Sequence, residues 1–584
     1  MNRLPTLPGR VVPRGRKGQR GVASVLAAFW LLVAVAALAV IDVGNVFYQR
    51  RVLQSVADMA ANAGAQVVDN ACSRAPTTAL GSAGANGFNA SASGNSIATT
   101  CGRWDPTLYA GPSYYAANAT PSNAVQVTVS KQVPYFFLGA GRVVSATGLA
   151  QAVNVGAFTI GTTTLLVNPT VITGLLNAML GTNINTLQIS ALGYAGLAQS
   201  RIQIGDLVTA AGVGTVAQLL ALNLTAAQLV KLMLVALQTT QVANANLSVA
   251  LDALQAVVNA NIPGSQTIAI GAVNGATGLL QVGLADTQSA LKATISPFDA
   301  LFVVAEIAQA GKSAVNVSTG LNLLGLATAS LQLQVIQPPV LAVGEAGQTP
   351  AGAWRTVANT AQVRLFLNVA LGALPGLSPL LGTPLVSLPV NIYVSPGKAW
   401  LKSTQCLTTK AASNSVIGVQ TGLANVCVGD TPTNLSASAP YSCSPATLVN
   451  VLGLITIKTA VSFPAVVPAS NAVTMTFDGI AGNADDYQTT NSNQVGGVLS
   501  NATMGLATQL SAPNGLTVSV LGIQLPLGSS VGQILANFVV PLLTPIFNAL
   551  DTILGPVLQL LGAQIGVSTV HNISLTCGQS QLQY

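Results

Sequence analysis

From Gly21 to Ile41 the chain reads GVASVLAAFWLLVAVAALAVI, 21 residues without a charged side chain. As a helix this stretch is about 31 Å long, the thickness of a bilayer's hydrocarbon core, so the pattern predicts a membrane span. Apolar positions continue past it: Val46, Leu53, Val56, Ala60, Ala63 and Val67 follow one another at spacings of 7, 3, 4, 3 and 4, with Gln49 as a polar slot and no proline before Pro76. That is a coiled-coil seam, and it predicts one continuous helix from about Val22 to Val68, about 70 Å long. Ala60, Ala61, Ala63 and Ala65 let a neighbouring helix come close. The expected helix-packing face is therefore Val46, Leu53, Val56, Ala57, Ala60, Ala63 and Val67.

Beyond the helix the pattern changes three times. Residues 71–122 are dominated by Ser, Gly, Asn, Pro and Thr and read as loops and turns, with Trp104, Tyr109, Tyr114 and Tyr115 as a small core. Val125, Val127 and Val129 then alternate with Gln126 and Thr128 as a half-buried strand, and after Gly139-Ala140-Gly141 the run Val143 to Val155 supplies a partner strand or strand pair. From about 156 to 345 Ala, Leu and Val prevail. Thr225-x-x-Gln228 is a capping box that opens a helix ending near Gln238, Asn246 to Asn259 is another, and Ser296-Pro297 opens a third that Gly311 stops. The segments around Leu187 to Leu197 and Gln266 to Val273 read as short strands. From 346 onward strands take over: Val363 to Val369, Val390 to Val394, Val473 to Phe477 and Leu516 to Val520 all alternate. Near the end, Val531, Ile534, Leu535, Phe538, Leu542 and Leu550 lie at helical spacing in a charge-free run; Pro526, Pro541 and Pro545 and the amides Gln533, Asn537 and Asn548 favour buried or interfacial helices over a second span.

Composition fits a long region outside the cytoplasm. Of 584 residues 50% are hydrophobic and only 6% charged, so hydroxyls and amides provide the polar surface. Six basic residues, Arg3, Arg10, Arg14, Arg16, Lys17 and Arg20, precede the span with no acidic one, which predicts a cytoplasmic N-terminus by the positive-inside rule. Without them 16 basic residues face 15 acidic ones, so the net charge of +7 does not mark a nucleic-acid binder. A signal peptide cut after Ala37-Leu38-Ala39 is the competing reading of the span. All six cysteines, Cys72, Cys101, Cys406, Cys427, Cys443 and Cys577, follow the span, and an even number on the oxidising side predicts disulfides. Cys72 and Cys101 are the two in the N-terminal third and are expected to pair; the other four allow three connectivities.

The string GQRGVASVLAAFWLLVAVAALAVIDVGNVFYQRRVLQSVADMAANAGAQ resembles the N-terminal segment of the TadE/TadG-like proteins of the bacterial Flp, or tight adherence, pilus machinery. Arg20-Gly21, Asp42-Val43-Gly44, Leu53-Gln54, Ala57-Asp58 and Ala60 to Ala65 fall on that family's pattern in order, and Asn123 to Ala152 is similar to the strand pair that closes its following domain. The resemblance implies a membrane-anchored pilus-assembly or minor pilin-like component, with minor pilins or other assembly proteins as partners. Pilin-type spans carry Glu five residues after the processing glycine; here that residue is Leu26, which argues against prepilin-peptidase cleavage after Gly21. The D-x-S-x-S metal motif of some TadG-like proteins is missing, which argues against metal-dependent adhesion.

Candidate chemistry is sparse. Gly212-x-Gly214-x-x-Ala217 has no acidic residue downstream before Asp252 to hold a ribose, and Gly311-Lys312-Ser313 has Glu306 where a Walker A motif needs its first glycine. His571 is the single histidine and reads as structural; Asp478, Asp485 and Asp486 lie in a Gly/Asn loop without EF-hand spacing and read as a solvated turn. No catalytic, cofactor-binding or metal residues are expected, and no small-molecule substrate. The expected protein is α+β: a cytoplasmic tail (1–20), a transmembrane helix (21–41) continuing into a pilin-like helical stalk (42–70), a pilin-like domain (71–155), an Ala/Leu-rich α+β region (156–345) and a β-rich region (346–584). It would sit in the bacterial inner membrane by a single pass and act in Flp pilus assembly without catalysis. A secreted adhesin or structural protein released by signal peptidase is the alternative.

Overall fold

A computed structural model describes residues 20–584 apart from 138, 162–168, 185–188, 245, 273–276, 318–321, 324–326, 372–385, 408, 433–434, 452, 460–462, 468–470, 492–507, 509–511, 513–514, 526–556, 559, 562–566, 579 and 584. The basic residues before Arg20 and the apolar run from Val531 to Leu550, with the second membrane contact weighed for it, lie outside the described residues. The chain divides into two units. One is built from residues 1–102, 124–151 and 580–584, the other from 103–123 and 152–579.

The first unit is a long helix laid on an antiparallel sheet. Helix α1 runs unbroken from Arg20–Ala65, as the uninterrupted apolar pattern predicts. Its C-terminal half buries Leu53, Val56, Ala57, Ala60, Ala61 and Ala65. A second helix, α2 (Ala75–Ala85), packs alongside it. The strands are β1 (Ser96–Trp104), β3 (Ala124–Val133) and β4 (Arg142–Gln151), the short β2 (Tyr115–Ala117) belonging to the other unit. β3 pairs antiparallel with β1, Ser96 opposite Ser130, and with β4, Val133 opposite Arg142; Gln581 opposite Gln151 adds one more short strand beyond β4. Val125, Val127 and Val129 point inward, as their alternation predicts.

Both α2 and β1 correct the expectation that 71–122 is loop. Ala75, Ala79 and Ala83 are the buried face of α2, four residues apart but too small to stand out in a Ser- and Gly-rich stretch, while β1 owes its extended form to its partner β3. The helix can lie this close to the sheet because of Gly148. A Cβ there would sit 2.6 Å from the Ala57 carbonyl group, so only glycine lets the backbone of α1 rest on β4.

The second unit places a helical layer beside several sheets. β5 (Val155–Ile160) sits in a sheet ordered Tyr487–Asn491, Val567–Thr576, β5, Leu341–Gly344, Leu280–Gly283. A longer antiparallel sheet runs Val315–Val317, Ala327–Gln337, Gln362–Leu371, Val386–Val394, Ala424–Val428, Phe463–Val467. The predicted alternations at Val363, Val390, Val473 and Leu516 all fall on strands. The helices include α3 (Pro169–Leu180), α4 (Ala191–Gln199), Ala226–Thr239, Leu247–Asn259 and Pro297–Gln309, the last buried along nearly its whole length. Thr225 and Gln228 form the predicted capping box, Ser296 caps the third helix, and Gly311 follows it at a φ of +75°. α4 overturns the strand read around Leu187 to Leu197: the Ser190 hydroxyl accepts the Gly193 N–H and starts a helix whose glycines let it approach Leu247–Asn259. Thr267–Ala269 is a strand as expected.

Candidate functional site

The N-terminal half of α1 has no cover. A stretch of high mean hydropathy (2.7) in it is 0% buried, while the same helix a few turns later is packed against strands. Folding leaves this much apolar surface in water only where another phase or a partner receives it. The boundary between the two halves is Asp42, the first acidic residue after the run, and its carboxylate is fully buried. It accepts two backbone N–H groups, from Phe136 at 2.7 Å and Phe137 at 3.1 Å, which fastens the β3–β4 turn to the end of the bare helix segment. The turn is tight: Gly141 has a φ of +88°, and a Cβ on it would fall 2.3 Å from the Val133 carbonyl oxygen. Beside it lies a groove of about 470 Å³ lined by Val43, Phe47, Arg50, Tyr135, Arg142 and Val143 among others. Asp42 was legible as the head of the DVG motif, but nothing in the sequence says which backbone it would hold.

The expected helix-packing residues lie on the sheet of their own unit. Leu53, Val56, Ala57 and Ala60 are buried; Val46, Ala63 and Val67 are half-buried. Gln54 donates to the Thr147 carbonyl at 2.9 Å, and Gln49, the polar slot, accepts from the Lys131 ammonium at 3.3 Å. A seam for a sister helix is closed there, because β3 and β4 occupy the apolar stripe. The helical spacing that suggests a coiled coil is equally the spacing of a helix lying on a sheet. Cys72 pairs with Cys101, as expected, and of the three connectivities left open the structure has Cys406–Cys577 and Cys427–Cys443.

The second unit holds the polar clusters. His571 is 2% exposed, its Nδ1 lies 2.6 Å from Asp299 Oδ2, and its ring stacks on Tyr487 at 4.1 Å. It is a core histidine with its carboxylate partner. Asp486 corrects the solvated-turn expectation: it is buried, pairs with Arg201 at 3.3 Å and accepts the Gly482 N–H. Burial pushes its carboxyl above the ordinary value even though Gly482, His571 and Arg201 pull the other way. The Gly214 N–H is taken by the Gln218 side chain at 2.8 Å, so that loop is a helix entry and not a phosphate cradle. Arg103 was not singled out from sequence. It is fully buried and donates to Asp105 at 3.1 Å, to both oxygens of Glu345 and to the Pro121 carbonyl, while Arg355 donates to the same Glu345. Burial opposes its charge, yet Glu345 and Asp105 hold its pKa above the ordinary value. Among the described residues no group of three or more His, Cys, Asp or Glu is placed to share a metal.

A mixed helix-and-sheet chain that has, among the described residues, one N-terminal helix long and apolar enough to cross a membrane, followed by a disulfide-clipped helix-on-sheet unit, is the class these features define. Residues 21–67 match the model of a putative Flp pilus-assembly, TadE/G-like family, and residues 63–153 match that of a putative Tad-like Flp pilus-assembly family. Over 21–153 the chain is thus similar to Tad-like Flp pilus-assembly proteins, in line with the motifs from Arg20 to Gln66. No curated protein and no solved structure matches it.

Proposed function

We propose that the chain is a non-enzymatic, single-span component of Flp pilus assembly in the bacterial inner membrane, with a cytoplasmic N-terminus and the bulk of the chain periplasmic or surface-exposed. The carrying observation is the bare apolar half of α1, set directly before a buried acidic clamp. Its length suits the hydrocarbon core, and the Tad-like match over the same residues supports a role among pilus components. Minor pilins or other assembly proteins are the partners in this reading. Because the Leu53–Ala60 stripe is covered by the chain's own strands, contact with sister helices belongs to the lipid half, where Ala27, Ala28, Ala34 and Ala37 leave room for close approach. Replacing Ala60 by a charged residue would break the unit itself and is no test of assembly.

The test uses full-length chain in its own membranes. It should resist alkaline carbonate extraction, keep the residues before Val40 on N-terminal sequencing, and co-purify with pilus components. Replacing residues 21–41 by a polyleucine span of equal length should keep the membrane residence and lose the co-purification. A soluble product starting near Val40 overturns the anchor and favours a released adhesin; co-purification that survives polyleucine overturns the helix contact.

A further inference from the structure

We infer that the Phe136-Phe137 turn is a second membrane contact, seated in the outer interface of the bilayer that α1 crosses, with Arg50 and Arg142 meeting lipid phosphates beside it. The inference rests on the anchor proposed above and goes beyond it, since a bare span alone says nothing about how the ectodomain meets the surface.

Three observations converge. Phe136 and Phe137 are 66% and 53% exposed at the tip of a hairpin, more apolar surface than a turn in water ordinarily leaves open. Their depth is fixed by Asp42, one residue past the 21-residue run: because both of their backbone N–H groups end on its carboxylate, the two rings lie at the level where the helix leaves hydrocarbon. That is where aromatic belts sit. About 8 Å further along the axis the helix also exposes Phe47 and Tyr48, so aromatic surface continues from the turn through the interfacial depth and is not an isolated patch. The third is charge. The groove next to the turn is lined by Arg50 and Arg142 beside Val43 and Val143, and no carboxylate lines it. Helical side chains lean toward the helix N-terminus, so Arg50 reaches back toward the bilayer. Two cations beside exposed valines suit the phosphate and glycerol region of a phospholipid. Asp42 then has a defined task, to lock the wedge to the anchor so that span and turn enter the membrane as one body.

The experiment is tryptophan quenching by phospholipids brominated near the top or near the end of the acyl chain. The full chain is reconstituted in vesicles of phosphatidylethanolamine and phosphatidylglycerol. Trp30, taken as the difference between wild type and Trp30→Phe, reports the span. Phe137→Trp in a Trp30→Phe background reports the turn, with Trp30→Phe alone subtracted. The expected result is blue-shifted emission from position 137, quenched strongly by shallow bromine and weakly by deep bromine. Adding Asp42→Ala should reduce that quenching, and exchanging both Arg50 and Arg142 for Gln should reduce it by about two-fold. Trp30 quenched with position 137 unquenched and red-shifted overturns this inference and leaves the anchor standing; such a turn would be docking on a protein. Trp30 unquenched overturns the anchor. A non-reducing gel of each variant confirms that Cys72–Cys101 has formed, and a signal from position 137 unaffected by Asp42→Ala in correctly oxidised protein overturns the clamp.

Discussion

Glu306 is the residue least at home in its surroundings. It lies in the Pro297–Gln309 helix, fully buried, and its Oε2 finds no hydrogen-bond partner among the described residues. Burial pushes its carboxyl well above the ordinary value near 4.5. A carboxyl raised in this way takes up a proton on folding, so it opposes the fold increasingly as pH climbs from about 4.5 toward its folded pKa. Glu306→Gln, which imitates the protonated form, should raise stability at pH 7.5 by about 1 kcal/mol or more, with the gain fading toward pH 4, read from urea melts of the detergent-solubilised chain at several pH values. Equal gain at every pH would contradict the assignment. Arg103 is the opposite case, a buried charge with its partners in place, and Glu345→Gln there would leave it half-neutralised.

At the scale of elements, the contact of α1 with β4 turns on Gly148. Gly148→Val should cost about 2–3 kcal/mol, because the new side chain meets the Ala57 backbone and neither the helix nor the strand has a second place to go. Gly81→Ala in α2, where an added Cβ meets nothing within 4 Å, should instead stabilise by about 0.5–1 kcal/mol. Urea midpoints of the two variants against wild type check both, and a neutral Gly148→Val would mean that the helix does not rest on the sheet. These elements also mark what a reader of the chain can reach. α1, the hairpin after Val125, the capped helices and the alternating strands were legible because large apolar residues or caps spell out their period. α2 and β1 were hidden: alanines carry little signal, and β1 takes its form from a neighbour in the sheet. The partner of the apolar stripe on α1 was hidden too, since spacing says that a face is covered and not by what. Asp42 was visible as a motif, whereas its two N–H donors come from a turn 94 and 95 residues away.

For the whole molecule, the cross-links differ in reach. Cys406–Cys577 spans 171 residues and Cys427–Cys443 only 16, nested inside it. In the chain-entropy view the long one removes more freedom from the unfolded chain, about 5 kcal/mol against about 3 kcal/mol. Cys406→Ser with Cys577→Ser should therefore lower the urea midpoint more than Cys427→Ser with Cys443→Ser; the reverse order would show that native geometry, and not loop length, sets their worth.

The short strand at Gln581–Leu582 also has a bearing on biogenesis. Gln583 reaches Gln151 across 432 positions of chain, so the β4 flank of the first unit stays unpaired until that late segment has been made. A free sheet edge of that kind invites strand exchange with neighbours. A chain interrupted before residue 581 would thus keep an open edge, and arrival of the Gln581–Leu582 segment is the event that closes it.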